Sequence, residues 1–523
     1  MAMADSAGPP SSAAGRRFVR LDLGKGVGFL LAGLGYAWAT SPLEDNSFLT
    51  HLATGRLILE TGGVPKADPY TFTAFSEPWV VQSWLASLVY AVLERLGGLH
   101  AIQLFTGALV FTLVAQIWSL TAECRGVVTR AAITTSALIV GMGFWSERPL
   151  LLGFNFLALT MLALVRRSLV LSWALVPLGW IWVNVHGSWP LGVAACLLWH
   201  WGYRFDSSRL RPRQSVAVDT RPTGGVRPVA GGVRGEVDET SPSLHVTRRL
   251  RGAPANPLTP WLGLSVGCIF GAIGPLGLDG LSFPVRLLAK RETLAYVVEW
   301  QPPPFDNVST WAFAVQLVWL MFSIARRPSY QAAMVGGLVT VLALSAARNV
   351  PVASIVMSPL IATGSADFGR IRSETRGIAP LALVFASVLI VMGVTALRLS
   401  SDPFDWRPYP LAALAWLVKD QGVDLGEQRL VAPDIVGNLA EGLFSDEVRV
   451  FYDDRFDMFP LEVSRNTSRL LNARPSWSTV LDESRADYVL WYSQSGLASL
   501  LAESDRWHVV FIEEGWLLAE RRR

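Results

Sequence analysis

Lysine is almost missing from this chain: only Lys25, Lys66, Lys290 and Lys419 occur, so nearly all of the positive charge is arginine. Cysteine is as scarce, and Cys124, Cys196 and Cys268 show no paired spacing, which argues against a disulfide framework, a thiolate metal site and redox chemistry. The six histidines are scattered and no H-E-x-x-H occurs, so no dedicated zinc site is expected. There is no G-x-x-x-x-G-K-[ST] loop either. Gly24-Lys25-Gly26-Val27-Gly28 is only a glycine-rich entry to an apolar stretch, and ATP-driven transport has no engine here. Charged residues make up only 17% of the chain and the formal net charge is +3; no nucleic-acid partner is expected.

What is present is apolar. Hydrophobic residues account for 51% of the 523 positions, with a mean hydropathy of +0.36, too much for a soluble chain of this length. The long apolar runs lack the alternation of barrel strands and read as membrane helices. Spans are predicted near residues 22–41, 100–120, 130–147, 150–166, 169–186, 188–203, 258–275, 309–325, 330–347, 350–364 and 378–398, about eleven in all. With the N-terminal tail 1–21 in the cytoplasm, Arg125, Arg130, Arg166, Arg167, Arg326, Arg327, Arg370, Arg372 and Arg376 all fall on the inner side, as the positive-inside rule requires. The first span also imitates a cleavable secretory signal, with Arg16, Arg17 and Arg20 before it and Ala37-Trp38-Ala39 at its end; we read it as retained. The arginine bias and the richness in alanine and glycine suggest a GC-rich bacterial genome, and so a multi-pass protein of the bacterial plasma membrane.

The transmembrane domain is thus expected over 22–400, with a first outer loop at 42–99 and a disordered cytoplasmic loop at 204–256. The apolar segment 79–96 is interrupted by Gln82 and closed by Glu94 and Arg95. If it spanned, the N-terminal arginines would face away from every later basic loop, so it is laid flat at the interface. Residues 401–523 turn soluble. A small extracytoplasmic α/β domain is predicted there, with strands at 429–432, 448–452, 488–491 and 509–512 and helices at 411–419, 460–473 and 495–503. The fold class is mainly α: a polytopic helical membrane domain with this appendage.

Chemistry is sought where the sequence breaks its own rules. Glu147-Arg148-Pro149 and Arg348-Asn349-Val350-Pro351 place arginine at two outer hairpin tips, and Arg286, Lys290 and Arg291 lie in the outer 276–308 loop. Asn184 and His186 end another span on that face, and Asp45 follows the first span. A carboxylate opposite guanidiniums and an imidazole suits displacement of a phosphate leaving group from a sugar: the acid takes the acceptor's proton and the cations neutralise the departing oxygens. Each residue has a plainer reading too. Asp45 can cap the helix that follows it, the arginines can bind lipid phosphates or pair with Glu147, and His186 beside Gly187 can be a structural hydrogen-bonder. Asp453, Asp454 and Asp457 can bind a divalent cation or tie down their own turn through Arg455. Asn307-Val308-Ser309 and Asn466-Thr467-Ser468 match the glycosylation pattern by chance.

The segments Leu43-Glu44-Asp45, His51-Leu52-Ala53-Thr54-Gly55-Arg56, Gly63-Val64-Pro65, Asp68-Pro69-Tyr70-Thr71-Phe72-Thr73 and Trp79-Val80-Val81-Gln82-Ser83-Trp84-Leu85 resemble a group of bacterial multi-pass proteins of the GT-C glycosyltransferase type. The resemblance continues through Arg148-Pro149, Trp182-Val183-Asn184-Val185-His186-Gly187, Asn256-Pro257, Glu299-Trp300, Arg348-Asn349-Val350-Pro351 and Asp454-Arg455. It departs at Leu49 and Thr50, where aromatic residues are common, and at Asp453-Asp454-Arg455, where the usual run is Asp-Gly-Arg. The resemblance implies a polyprenyl-phosphate-linked sugar as donor and a glycan, lipid or protein as acceptor. It further implies two interfacial helices, here 46–60 and 79–96, and an acid at the start of the first outer loop. Asp45 matches that acid, with Glu44 beside it. His51, Asp68, Arg148, His186, Lys290, Arg291, Glu299 and Arg348 are the expected donor-phosphate and substrate contacts. No cofactor is certain, a divalent cation is possible chemistry, and membrane lipids are partners by placement. A secondary transporter would show broken helices and polar groups at mid-membrane, which this pattern lacks; a non-catalytic scaffold of envelope assembly fits the topology as well as an enzyme does.

Overall fold

The computed structural model describes residues 21–209, 258–369, 371–444, 449–513 and 515–522; the expectations for the N-terminal tail and for nearly all of the 204–256 loop lie outside them. Each predicted span has a helix in place. The chain runs through α1 (Leu23–Ala39), α2 (Ser47–Thr61), α3 (Trp84–Leu120), α4 (Val127–Gly141), α5 (Pro149–Arg166), α6 (Leu169–Val185), α7 (Trp189–Arg209) and α8 (Thr259–Phe270). It continues through α9 (Leu278–Ala289), α10 (Arg291–Leu294), α11 (Val308–Arg326), α12 (Tyr330–Ser345), α13 (Val350–Gly364) and α14 (Ala379–Leu399). Among the described residues five helices are both long and apolar enough to cross a membrane: α3, α4 with its extension to Phe144, α5, α11 and α14. α6, α8 and α12 are apolar but shorter. The twelve residues of α8 rise only about 18 Å, so the segment predicted as a full span at 258–275 is shorter than a hydrocarbon core of about 30 Å.

The local sequence explains where these helices begin. Asp22, Ser168, Asn307 and Ser329 accept from backbone N–H groups of the first turns of α1, α6, α11 and α12, and Pro149, Pro260, Pro351 and Pro380 occupy the opening turns of α5, α8, α13 and α14, where the missing N–H costs nothing. α13 is buried nearly throughout and forms the centre of the bundle. α14 buries only Pro380 and Ser387 and turns Leu381, Phe385, Leu389 and Met392 outward, the pattern of a lipid-facing helix.

The second predicted interfacial segment and the span that follows it form one long helix with a kink between them. α3 starts at Trp84, breaks at Gly97 and Gly98, and only then runs as the predicted 100–120 span; Gly98 has φ 63°, a conformation that suits glycine. α2 crosses the part before the kink closely enough that a Cβ on Gly55 would lie 2.0 Å from the Ser87 carbonyl oxygen. Phe48, Leu49, Leu52 and Ala53 are buried in this contact and beneath the C-terminal domain, and a large apolar side chain gains roughly 1.5–3 kcal/mol from such burial.

The C-terminal domain comprises α15 (Leu411–Ala415, continued as a wider turn to Asp420), β1 (Leu430–Val431), α16 (Asp434–Phe444), α17 (Leu461–Leu471), α18 (Trp477–Glu483), β2 (Tyr488–Tyr492), α19 (Gly496–Glu503), β3 (Trp507–Glu513) and β4 (Trp516–Arg521). Its sheet has the order β1-β2-β4-β3, with β1 parallel to β2 and the other pairs antiparallel. The expected strand at 448–452 contributes Val450 alone, in single bridges to Leu430 and Thr71, while α16, α18 and β4 were not expected. Val450 therefore links the sheet to the first outer loop. A second link pairs Leu43 with Phe404 on the way out of α14. The domain thus sits on the outer loop, at the end of the bundle where Asp45 lies.

Candidate active site

Asp45 leaves α1 on extended chain just before α2, and its two carboxylate oxygens do different work. Oδ1 accepts from the Ser47 N–H at 3.1 Å and the Ser47 hydroxyl at 2.7 Å, holding the start of α2. Oδ2 accepts from Ser146 Oγ at 2.9 Å and from Arg148 Nε. One oxygen thus fastens the start of α2 and the other meets the residues that precede α5. Burial is the largest single influence and pushes the Asp45 pKa up, but the Arg148 charge and the hydrogen bonds from Ser47, Arg148 and Ser146 together hold it below the ordinary value. Asp45 is therefore a carboxylate in this state.

Arg148 is the residue before α5 and is shared. Its Nη1 donates to Glu299 Oε1, so one guanidinium joins the first outer loop to the 276–308 segment. Burial opposes its charge, and Asp45 and Glu299 outweigh burial. Arg348 lies over the Trp300 ring at 4.6 Å and feels Glu299 and Arg148. Among the described residues Arg348 makes no protein hydrogen bond or ion pair, and Arg148 Nη2 donates to no protein acceptor. Two guanidiniums at one end of the bundle thus keep donors in hand.

Two histidines and two further acids surround this core. His51, on α2, is half-buried and its pKa falls to about 4 because desolvation disfavours the imidazolium; its Nδ1 lies 3.1 Å from Ser87 Oγ. His186, just past α6, is lowered to about 3 by burial and by Arg348. Its Nδ1 accepts the Ser188 N–H at 3.1 Å, which puts the ring proton on Nε2. Asp454 is pushed well above the ordinary carboxylate range by burial and Asp453, and it senses Arg148 and Asp45. Glu147 is buried, and its Oε1 accepts the backbone N–H groups of both Glu44 and Asp45 at 2.8 Å. Burial, reinforced by Asp45, raises its pKa to about 7.

The expected residues therefore divide. Asp45, His51, Arg148, His186, Glu299 and Arg348 come together. Glu44 does not bring its carboxylate to them: the residue is exposed, and only its N–H takes part. Asp68 is buried in a different cluster, where it accepts from Tyr70 N, Thr71 N and Thr71 Oγ1 and pairs with Arg455 at 2.7 Å. Lys290 donates to the Asp457 carbonyl oxygen and so fastens the 276–308 segment to the C-terminal domain. Arg291 is exposed at the start of α10. Glu147 and Asp454 were missed as site residues. Glu147 could have been found from its place beside Arg148 in a span-end motif; Asp454 carries no signal that separates it from Asp453. Those two do not act alike: Asp453 binds Arg455 at 2.5 Å, so the three acids 453, 454 and 457 do not face one point. Among the described residues no group of three or more His, Cys, Asp or Glu is arranged to hold a metal ion.

No protein-family model matches the sequence, and no curated protein does. Solved structures do resemble its backbone. The archaeal oligosaccharyltransferase AglB from Archaeoglobus fulgidus, in complex with an inhibitory peptide and a dolichol-phosphate, is similar with a TM-score of 0.48 and 9% identity over 89% of this chain and 69% of that one. The arabinofuranosyltransferase AftD from Mycobacteria is similar with a TM-score of 0.42 and 12% identity over 96% of this chain, which spans 40% of that protein's chain. Both are GT-C fold glycosyltransferases. The likeness is one of chain course, and no side chain is carried over from it.

Proposed function

We propose that the chain is a membrane glycosyltransferase that moves a sugar from a polyprenyl-phosphate donor to an acceptor at the Asp45 end of the bundle, with inversion at the anomeric carbon. The observation that carries this reading is the pair of guanidiniums with unfilled donors, Arg148 and Arg348, beside a carboxylate that one of them holds. Unfilled arginine donors at the headgroup level of a membrane protein suit a lipid-linked phosphate.

The chemistry follows from how Arg148 is shared. Held by four hydrogen bonds, Asp45 is a poor base, because a proton acceptor works best with a pKa near the working pH. A phosphate entering between Arg148 and Arg348 competes for the Arg148 fork. As that hold weakens, burial dominates the Asp45 pKa and raises it. Asp45 then takes the acceptor hydroxyl's proton, the acceptor oxygen attacks the anomeric carbon, and the bond from that carbon to the phosphate oxygen breaks. The leaving phosphate keeps the electron pair, and the two arginines offset its charge. His51 and His186 stay neutral and serve as hydrogen-bonding groups. Donor binding thereby arms the base, which keeps the acid quiet until a sugar is present.

The deciding experiment uses purified full-length protein with a radiolabelled polyprenyl-phosphate sugar and envelope extract as acceptor. Transfer by the wild type and its loss in Asp45→Asn, with unchanged thermal stability, is the expected result. A folded Asp45→Asn protein that transfers as fast as wild type would leave the scaffold reading in its place.

A further inference from the structure

A second site lies at the opposite end of the bundle, one α1 length or about 25 Å from Asp45 by the helical rise. There a cavity of ≈ 660 Å³ opens between the start of α1, the end of α3, the start of α4 and the 371–375 segment. This falls within the size range of ligand pockets, roughly 300–1,000 Å³. Its walls are divided by polarity. Phe29, Ala32, Ala115 and Trp118 make the apolar part, and Lys25, Arg125, Arg130 and Arg372 line the mouth with two acids, Asp22 and Glu374.

The charges are not mutually spent. Asp22 caps α1 and pairs with Lys25 at 3.3 Å. Arg130 stacks on Trp118 at 4.1 Å and donates to the Trp118 carbonyl oxygen, without a carboxylate partner among the described residues. Arg125 and Arg372 are exposed and form no ion pair among the described residues.

The rim is built by the backbone. Gly24 N donates to Ser373 O at 2.7 Å, Leu23 N to Thr375 O at 2.8 Å, Ser373 N to Arg125 O and Val127 N to Ile371 O at 2.9 Å each. The glycine-rich Gly24-Lys25-Gly26-Val27-Gly28 run, which catalysis leaves unused, serves this construction. A Cβ on Gly24 would meet Ser373 at 2.8 Å, one on Gly26 would meet Pro380 at 2.9 Å, and one on Gly28 would strike Trp118 at 2.6 Å.

We propose that this cavity binds the phosphate headgroup of an anionic phospholipid, with Arg125, Arg130 and Arg372 around the phosphate and an acyl chain along Phe29 and Trp118. The apolar wall favours a lipid over a free anion, because a small phosphate would leave that wall against water.

Native mass spectrometry of the delipidated full-length protein tests it, with phosphatidylglycerol, phosphatidylcholine and inorganic phosphate as separate additions. Phosphatidylglycerol is expected to bind at least about 10-fold more tightly than phosphatidylcholine, and the double variant Arg125→Gln, Arg372→Gln to lose about 10- to 30-fold of that affinity. Both arginines are exposed, so the variant keeps its fold; Arg204→Gln, outside the cavity, is expected to bind as wild type. Equal binding of the two lipids, full retention by the double variant, or inorganic phosphate binding as tightly as lipid would each overturn the proposal.

Discussion

Arg148 and Arg455 sit at the same end of the bundle, each gripped by carboxylates, and they differ in access. The Arg455 side chain is 7% exposed and its partners Asp68, Asp453 and Glu441 are fully buried, with Tyr70 and Trp79 rings over the guanidinium at 4.9 and 4.4 Å. The Arg148 side chain is 29% exposed, Glu299 32% and Asp45 8%. The closed cluster joins the first loop to the C-terminal domain, and its spare donor, Arg455 Nη1, is buried. The open one uses the same chemistry with its spare donor, Arg148 Nη2, on a side chain that is partly exposed. Composition cannot distinguish the two; whether aromatic rings seal the guanidinium does.

The strongest test exchanges loss of rate against loss of fold. Asp45→Asn is expected to cut sugar transfer by about 10²–10⁴-fold while the melting temperature in detergent stays near wild type. Arg455→Met is expected to cost about 3–5 kcal/mol of stability, because Asp68, Asp453 and Glu441 would be left buried without their cation. Thermal denaturation and a transfer assay on the same preparations separate the outcomes. A stable, fully active Arg455→Met protein would erase the contrast.

A conservative change sharpens it further. Arg148→Lys keeps the charge but loses the fork that reaches Asp45 and Glu299 together. We expect the donor KM to rise by about 10-fold or more with little change in stability. At Arg455 the same change is expected to destabilise the protein, since one ammonium cannot serve Asp68 and Asp453 with the same geometry. Donor titrations read the first effect and melting curves the second.

Which parts were legible in the sequence follows from the same contrast. The helices were, because hydropathy and the side on which arginines fall are direct consequences of the bilayer. Arg148 and Arg348 stood out because they break that rule at hairpin tips expected to lie outside, and Asp45 because it follows the first predicted span. Asp68 was not separated from the site, since a buried partner 387 positions away, Arg455, leaves no local trace. Glu44 and Asp45 look equivalent as a string, and only the folded chain separates them, leaving Glu44 exposed while Asp45 meets Ser47, Ser146 and Arg148. α16, α18 and β4 went unseen because their burial depends on the outer loop and on one another. A pattern read one segment at a time does not contain that information.

Glu147 gives a smaller effect with a pH signature. Its folded pKa of about 7 lies above the ordinary 4.5, so the folded state binds the proton more tightly. The associated stability is complete below about 4.5 and is lost as pH rises through about 7, by at most about 3 kcal/mol. Glu147→Gln keeps an oxygen for the two backbone N–H groups and removes the titration. Its melting temperature is expected to be flat between pH 6 and 8 where that of wild type falls. Glu147→Leu abandons both N–H groups and is expected to lower activity through Asp45's position, with kcat affected more than KM.

The smallest effect is expected at His51, and it bears on which group is the base. An imidazole with a pKa of about 4 is neutral throughout the physiological range, so it has no proton to lose there and too little basicity to gain one. His51→Gln retains a hydrogen-bonding group near Ser87 and should slow transfer by less than about 10-fold, without moving the pH profile between 6 and 8. If a histidine were the proton acceptor, this change would abolish the acidic limb of that profile and Asp45→Asn would leave it intact. In the proposed mechanism the Asp45 carboxylate is released only when a donor phosphate draws Arg148 away, so the limb should belong to the donor-bound enzyme. It is then expected in kcat more than in kcat/KM for the donor, and Arg148→Lys should shift it while His51→Gln does not.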